Sequence, residues 1–540
     1  MRKKIDAVLF IILALTLITG TGKLAAMGGG QQSGGTTLSP QDNFNETGFP
    51  IVKEKITLKF LVPHNPEDAI PYMDIPIYRE YEQKTNIHVE LDEVPQESWP
   101  ERYRLILASN DLPDVIAPGN VGTDETFMAT YARQGTFLPL EGLIDKYGAN
   151  ARIKLNERAD VRKFITSPDG HIYSLPYVDE NLNLTVNDMI FINKTWLDQL
   201  RLPEPKTLDE YANYLRAVKN MGKTALSLGV VPGSNVSRLS NLFGSFGITE
   251  DGSRMFVTDN DKILYSPTTN EYRNALQYFA GLYAEGLIDP ESFTQSDAQL
   301  KAKAKVGIGS SIVFWYPALN DGDQSENEYI IVGPFTGPNG HLMYLKNGYI
   351  PGISANAFLM TRNNKFPEAT MRWVDYWLDN GDLTITLRFG PEGYVWEKLP
   401  NNQWTNLGTT PDGNIIDRKF SSQFSAYGIL VPYWQFGDLW SRKLITAPDA
   451  AMRGAAIRST YSPVTAKPLP PIMFSDQDNR TVSQIQTSLN TYVSSSYANF
   501  ITQGINENAW QEFTARCRQL GSDRLVELYQ QYYDEFNAVN

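Results

Sequence analysis

The chain has 540 residues, which is more than one hydrophobic core normally holds, so we expect at least two lobes. With 42% hydrophobic residues, 25 Phe, 28 Tyr and 10 Trp, it has enough apolar material to exclude wholesale disorder. The formal net charge of −13 argues against nucleic acid or an anionic membrane surface as a partner. The single cysteine, Cys517, excludes an internal disulfide and a cysteine-based zinc or iron–sulfur site.

The amino terminus predicts export from the cytoplasm. Three basic residues at positions 2–4 precede an apolar run over residues 7–18, and small residues follow it. This layout is typical of a secretory signal, and the run is short for a membrane-spanning helix. We assign residues 1–26 to a signal peptide, with an uncleaved signal anchor as the alternative, and residues 27–50 to a flexible Gly/Ser-rich linker.

A signal followed by a Gly/Ser tether is also the usual plan of a bacterial lipoprotein. Ile18, Thr19 and Gly20 fit the small-residue box that precedes the lipid-bearing cysteine, but the next residue is Thr21. A hydroxyl cannot take the thioether-linked lipid, so lipid anchoring is not predicted. We expect the body of the protein to be extracellular, at the outer face of the cell membrane.

The next hundred residues predict an open α/β sheet. Alternating apolar residues indicate strands over residues 56–62 and 87–91, and a short buried strand over 112–116. Helical spacing of apolar residues indicates helices over residues 75–84 and 99–107. Strands that alternate with helices in this way form a largely parallel sheet.

Further helices follow along the chain. Thr207 and Glu210 stand at the spacing of a capping box, which predicts a helix that begins there. Apolar stripes at helical spacing predict three more helices, around residues 272–283, 367–378 and 505–535. Cys517 lies within the apolar stripe of the last one, so we interpret it as a core residue.

Several motifs fail as cofactor or metal sites. The sequence Gly222-Lys223-Thr224 lacks the earlier glycine of a phosphate-binding loop, and the four histidines are scattered. The segment 321–325 begins like a calcium loop, but Glu326 stands where that loop needs glycine. We therefore expect no cofactor and no metal. Nothing in the sequence shows which of the 61 acidic residues could form a catalytic carboxylate pair, so no catalytic residue is named.

Five motifs occur in a recognisable order, in the segments 169–176, 190–197, 202–210, 366–369 and 390–393. In order and spacing they resemble the extracellular solute-binding proteins of carbohydrate ABC importers (family 1). The chain is most similar to the long lipoprotein type of Gram-positive bacteria. Long relatives often carry a calcium loop after the helix that begins at Thr207, but no such loop follows here, and calcium is not carried over.

The resemblance implies a periplasmic-binding-protein-like α/β fold, with two lobes joined by crossover strands and a ligand cleft between them. It assigns residues 51–178 and 354–428 to the N-terminal lobe, and residues 179–353 and 429–540 to the C-terminal lobe. It implies a monomer that captures an oligosaccharide and delivers it to ABC transporter permease subunits.

Candidate ligand-binding residues are polar or aromatic side chains that follow predicted strands or lie near expected crossovers, because open α/β sheets bind ligands there. Aromatic rings cover the C–H face of a sugar and polar groups bind its hydroxyls. The candidates are Asn65, Asn120, Tyr177, Asp179, Trp315, Tyr316, Tyr349, Glu392, Tyr394 and Trp434. Trp315 and Trp434 lead among the aromatic residues, with core packing as the alternative for each.

Two other functions suit the same features. A secreted glycoside hydrolase or lyase would also be acidic and rich in aromatic residues. A receptor for a peptide or another solute would use the same scaffold, because a fold does not determine its ligand.

Overall fold

The computed structural model describes residues 38–538, except 66, 67, 69, 122, 124, 187, 231–236, 314–327, 425–430, 446 and 447. The predicted signal peptide and the candidates Trp315 and Tyr316 lie outside the described residues. In the part of the chain that is described, no helix combines the length and the apolar character needed to cross a membrane.

The strands are β1 Ile56–His64, β2 Ile87–Pro95, β3 Val115–Ile116, β4 Leu175–Asp179, β5 Met189–Asn193, β6 Met255–Val257, β7 Ile263–Tyr265, β8 Ser310–Val313, β9 Tyr329–Val332, β10 Ile353–Met360, β11 Trp396–Lys398, β12 Trp404–Asn406 and β13 Trp434–Gln435. The helices are α1 Pro40–Asn43, α2 Pro76–Thr85, α3 Trp99–Ser109, α4 Glu125–Arg133, α5 Glu141–Tyr147, α6 Ala149–Glu157, α7 Ala159–Ile165, α8 Lys194–Gln199, α9 Leu208–Asn220, α10 Asn270–Ala284, α11 Asp297–Val306, α12 Pro367–Asp375, α13 Asp382–Phe389, α14 Arg418–Ser421, α15 Gly437–Ser441, α16 Pro448–Ala456, α17 Asp476–Gln503, α18 Glu507–Gln519 and α19 Ser522–Ala538.

The first lobe is built on a six-stranded sheet in the order β13-β4-β10-β3-β1-β2. β1 pairs in parallel with β2 and β3, and β4 pairs in parallel with β13, whereas β10 is antiparallel to both of its neighbours. Successive side chains of a strand point to opposite faces, so Phe60 enters one core and Leu61 another. Helices cover both faces, which confirms the predicted α/β class and the largely parallel sheet.

The second lobe has a smaller sheet and more helix. β5 lies between β8 and β9 and is antiparallel to both. Its core also takes in side chains of α9, α10 and the three helices at the carboxyl end of the chain. The predicted capping box at the start of α9 is confirmed, since the Thr207 hydroxyl and the Glu210 carboxylate each accept a hydrogen bond from the other residue's backbone N–H.

Three segments connect the lobes. The first runs from β4 to β5, the second returns along β10, and the third leaves the first lobe after α15 and enters the second lobe at α16, where Ile457 packs in the second core. The part of the chain just after residue 429 does not follow the predicted division. Val431, Tyr433 and Trp434 pack in the first core, and β13 completes the first sheet.

Two helix predictions also need correction. The segment 505–535 is not one helix, because the chain breaks between α18 and α19 at Gly521, whose φ is +103°. The 28-residue helix α17 was not predicted. Cys517 is buried in the second core, and burial raises the pKa of its thiol to about 12.

Candidate functional site

The carboxyl ends of parallel strands in the first lobe converge on the crossovers. β4 ends at Asp179, where the first connection leaves the lobe, and β13 ends beside it at Gln435. Open α/β sheets bind ligands at this edge. The edge therefore locates the first-lobe side of a candidate site.

A buried ion pair occupies the end of β4. An Nη1 proton of Arg388, on α13, is donated to Oδ2 of Asp179 across 2.6 Å, and the same nitrogen bonds Oε1 of Gln435. The Tyr177 hydroxyl donates to Oδ2 of Asp179 at 3.4 Å. The side chains of Arg388 and Asp179 are only 11% and 5% exposed. We call these four residues, together with Trp440 and Lys443, the Asp179 cluster.

Aromatic rings border this cluster. The Arg388 guanidinium carbon lies 5.3 Å from the ring centroid of Phe389 and 5.4 Å from that of Trp440. The Lys443 ammonium lies 4.7 Å from the rings of Phe389 and Trp404 and 5.1 Å from the ring of Trp440. Burial, assisted by the Arg388 charge, lowers the pKa of Lys443 to about 7. Cationic donors beside aromatic faces suit a ligand that has both apolar faces and oxygen acceptors.

Hydrogen bonds at the end of β4 hold the start of the first connection in place. The Glu180 carboxylate accepts a hydrogen bond from the backbone N–H of Gly437 at 2.8 Å and pairs with Arg158 at 2.6 Å. The backbone N–H of Asp179 donates to the Gly352 carbonyl at 2.8 Å. The first two connections between the lobes thus meet in one hydrogen-bonded junction at the end of β4, and α15, which leads to the third connection, begins at the same junction.

The second lobe carries its own ion pair where the first connection ends. Arg238 is bonded to Asp297, and its Nε lies 3.5 Å from a carboxylate oxygen of Asp188, which directly precedes β5. Burial raises the pKa of Asp188, and the Arg238 charge opposes that shift. Each end of the first connection therefore bears an aspartate paired with an arginine of its own lobe.

A cavity of about 800 Å³ lies between the lobes on the α7 side of β4. The first lobe contributes α6, α7 and the turn before β4, and the second lobe contributes residues near Met473 and the end of α19. Tyr349 lines this cavity, and its ring contacts Phe536 of α19 at 5.6 Å between centroids. Tyr349 thus contacts the second lobe away from the Asp179 cluster.

The other candidates lie in separate surroundings. Asn65 is nearly buried after β1, beside the pair formed by His64 and Glu93 at 2.8 Å, and burial raises the pKa of Glu93. Asn120 and Glu392 are exposed. The Tyr394 hydroxyl donates to Asp412 at 3.2 Å. Of the sequence candidates, the structure joins Tyr177 and Asp179 in one cluster.

Trp434 is a core residue. Its side chain is 0% exposed within the first core, and its indole N–H donates to the Pro176 carbonyl at 2.6 Å. It therefore presents no open face for stacking on a sugar. The next residue, Gln435, points to the other side of the same short strand and reaches Arg388.

Sequence reasoning missed Arg388, Gln435, Trp440 and Lys443. Gln435 had one signal, because it follows Trp434 on a strand and so points away from the core that Trp434 enters. Arg388 had none, since 209 residues separate it from Asp179. Among the described residues, no group of three or more His, Cys, Asp or Glu side chains is arranged to hold a metal ion.

Comparison with known proteins identifies the family. The model of the bacterial extracellular solute-binding protein family matches residues 66–382. A curated relative, the fructooligosaccharide ABC transporter substrate-binding protein FusA of Streptococcus pneumoniae, is 26% identical over 556 aligned residues, which cover 97% of this chain and 98% of FusA. The polygalacturonan/rhamnogalacturonan-binding protein YtcQ of Bacillus subtilis is 24% identical over 344 residues, covering 61% of this chain and 64% of YtcQ.

Solved structures show the same fold. A structure of Streptococcus pneumoniae FusA in complex with kestose has a TM-score of 0.74 and 24% identity, and the match covers 90% of this chain and 100% of FusA. An HMO-binding solute-binding protein of Bifidobacterium longum infantis also gives a TM-score of 0.74, with 19% identity over 89% of this chain and 99% of that protein. The chain belongs to the family of bacterial extracellular solute-binding proteins.

Proposed function

We propose that this protein captures an oligosaccharide between its two lobes and delivers it, chemically unaltered, to the permease subunits of an ABC importer. One observation carries the proposal: the alignment with the fructooligosaccharide-binding FusA runs through nearly the whole length of both chains. Both lobes, and with them both sides of the cleft, are included in that alignment.

The geometry supports binding without catalysis. The carboxylates of the Asp179 cluster and of the second-lobe pair are each held by an arginine of their own lobe. Such carboxylates act as fixed acceptors that orient their arginines. Contacts that a ligand makes with both lobes at once favour the closed state.

We place the protein outside the cell, as a monomer, with the predicted signal peptide removed. Because Thr21 stands at the position of the lipid-bearing cysteine, we propose that it is not lipidated. Mass spectrometry of the exported protein tests this proposal, since an acylated amino terminus would contradict it.

The function is tested by a binding screen with purified full-length mature protein. Kestose and nystose represent neutral fructans, oligogalacturonates represent acidic glycans, and a tripeptide mixture represents peptides. Ligand at about 100 times its Kd should add about 2.7 kcal/mol to the unfolding free energy and raise the Tm visibly. We expect a fructan to give the largest shift.

Turnover is tested on the same samples. After overnight incubation with excess protein, chromatography should recover the intact oligosaccharide in stoichiometric amounts. Shorter products would favour a glycoside hydrolase or lyase, and a Tm shift with peptides alone would favour a peptide receptor. Either result contradicts the proposal.

A further inference from the structure

Two hydrogen-bond donors in the Asp179 cluster have no partner. Nε2 of Gln435 and Nε1 of Trp440 are both buried, and neither makes a hydrogen bond in the folded chain. Gln435 is fully buried at the end of β13, and Trp440 is partly exposed on α15. An unpaired buried donor reduces stability, so each such group in a folded protein needs an explanation.

The neighbouring tryptophans show that the unpaired donor of Trp440 is not a general property of this region. Nε1 of Trp404 donates to the Leu439 carbonyl at 3.2 Å, and Nε1 of Trp396 donates to the Gly390 carbonyl at 2.9 Å. Both rings belong to the small core beside α15, against which Trp440 packs. The chain thus satisfies the indole N–H groups that face this core and leaves unpaired that of Trp440, whose ring centroid lies 5.4 Å from the guanidinium carbon of Arg388.

The chemistry of the cluster calls for an acceptor. The Asp179 carboxylate already accepts from Arg388, from the Tyr177 hydroxyl and from the Asn181 backbone N–H at 3.3 Å. The unpaired N–H groups of Gln435 and Trp440 add donors but no acceptor, and the ammonium form of Lys443 adds a further donor. Ring and hydroxyl oxygens of a sugar are such acceptors. The aromatic rings of Phe389 and Trp440 lie beside Arg388 in the same cluster.

We propose that Gln435 and Trp440 become hydrogen-bond donors to the oligosaccharide, each binding an oxygen of the sugar unit held at the end of β4, once the side chains that close both N–H groups off from solvent in this structure move aside. The inference rests on the proposed function and names the first-lobe residues that select the ligand. The family match ends at residue 382, so it includes neither of them. Binding energy then comes from pairing groups that the free protein leaves unpaired, which a ligand lacking those oxygens cannot do.

This arrangement has a signature that a structural role does not share. Removing an unpaired buried donor relieves the free protein of an unfavourable group, so its Tm should hold or rise. The same change removes a hydrogen bond from the complex, so the ligand should bind less tightly. Stability without ligand and affinity for ligand therefore change in opposite directions.

The test uses Gln435→Met and Trp440→Phe, which keep most of the side-chain volume and remove the N–H groups. Tm without ligand and Kd by titration calorimetry are measured on the full mature chain, with kestose, nystose and trigalacturonate as probes. We expect a Kd raised about 10-fold in each variant and an unchanged or higher Tm in Trp440→Phe, whereas Gln435→Met also removes the Oε1 atom that accepts from Arg388 and should lower the Tm. The matched control is Trp396→Phe, whose N–H is satisfied within the protein, so its Tm should fall while its Kd holds.

The outcomes separate this inference from the proposed function. If the parent protein binds a saccharide and both variants bind it equally well, the inference is overturned and the unpaired groups bind water only. If the parent protein binds no saccharide, the proposed function fails and the inference fails with it. A weaker Kd with neutral and acidic probes alike shows recognition of hydroxyl oxygens, whereas a loss confined to trigalacturonate shows recognition of a carboxylate. Both of these results support the inference.

Discussion

The two lobes each contain a buried arginine–carboxylate pair, and the pairs differ in what surrounds them. In the second lobe, Arg254 bonds Glu250 at 2.8 Å, Ser494 at 2.9 Å and Asn490 at 3.1 Å. Ser494 and Asn490 lie on α17, so this pair ties a loop to a long helix inside the lobe. In the first lobe, Arg388 and Asp179 lie at the sheet edge where the crossovers meet.

The difference separates a structural pair from one available to a ligand. The side chains of Arg254 and Glu250 are 2% and 1% exposed, and three nitrogens of the guanidinium donate to the protein. The Arg388 pair is adjacent to two unpaired donors and to partly exposed aromatic rings. Burial of a charge pair does not by itself indicate function, and neither does one unpaired atom, since Oε2 of Glu250 also lacks a hydrogen-bond partner. The Arg388 pair differs in lying at the sheet edge where the crossovers meet.

The largest effect is expected from Arg254→Met, which leaves the Glu250 carboxylate buried without its cation. Breaking such a pair costs about 3–5 kcal/mol of unfolding free energy. Urea unfolding measures the loss, and the Kd of the folded fraction should equal that of the parent. The double variant Arg254→Met/Glu250→Leu should recover most of the stability. A single-variant loss under about 1 kcal/mol would show that this pair is not structural.

Arg388→Met should affect ligand affinity more than stability, in contrast to Arg254→Met. Asp179 keeps its hydrogen bonds from Tyr177 and the Asn181 backbone, so the loss of unfolding free energy should be smaller, about 1.5–3 kcal/mol. The Kd for the oligosaccharide should rise at least about 10-fold, because a cationic donor and the orientation of Gln435 are lost together. An unchanged Kd, measured by calorimetry, would show that the first-lobe pair is not part of the binding site.

Gly352→Ala tests whether the junction at the end of β4 controls binding. Gly352 has φ +75°, and an added Cβ would stand 1.9 Å from the Asp179 carbonyl oxygen, so the second connection must move away from the first. We expect a loss of about 2–3 kcal/mol in stability and a weaker Kd. Gly348→Ala is the matched control, because its φ is +72° and nothing lies within 4 Å. It should cost about 1–2 kcal/mol and leave the Kd unchanged.

Local patterns predicted the first sheet well, because each of its strands and helices can be recognised from a short segment of the sequence. The alternation of apolar residues in β1 and the helical stripe of α3 each need fewer than a dozen residues to read. α17 was missed because its exposed face is rich in Ser and Thr, which normally compete with helical hydrogen bonds. In the structure these hydroxyls bond carbonyls four residues earlier, as Thr487 and Ser495 do.

The site was predicted only in part because its members come from distant segments. Tyr177 and Asp179 were found by their place near a crossover, a property of one segment. Their partner Arg388 lies on a helix of the returning chain, and no single-sequence pattern links the two. Trp434 was predicted because aromatic residues suit sugars, and Gln435 was not predicted. On a two-residue strand only the surrounding core decides which side chain faces inward.

The final prediction is a pH dependence at Lys443 of the first-lobe cluster. Lys443 has a pKa of about 7 in the folded protein, because burial and the Arg388 charge disfavour its ammonium form. In the unfolded chain the pKa returns to about 10.4, so between these values the unfolded chain binds more protons than the folded one. The unfolding free energy of the parent minus that of Lys443→Met should therefore increase from pH 7 to pH 10.

The measurement is the difference in unfolding free energy between the parent and Lys443→Met across that pH range. The contacts of the ammonium with three aromatic rings oppose the shift, since they favour the charged form. A flat difference would show that these cation–π contacts offset the burial of the charge. Lys443 would then remain a cation at neutral pH and a permanent donor beside Trp440, whereas a rising difference makes that donor depend on pH.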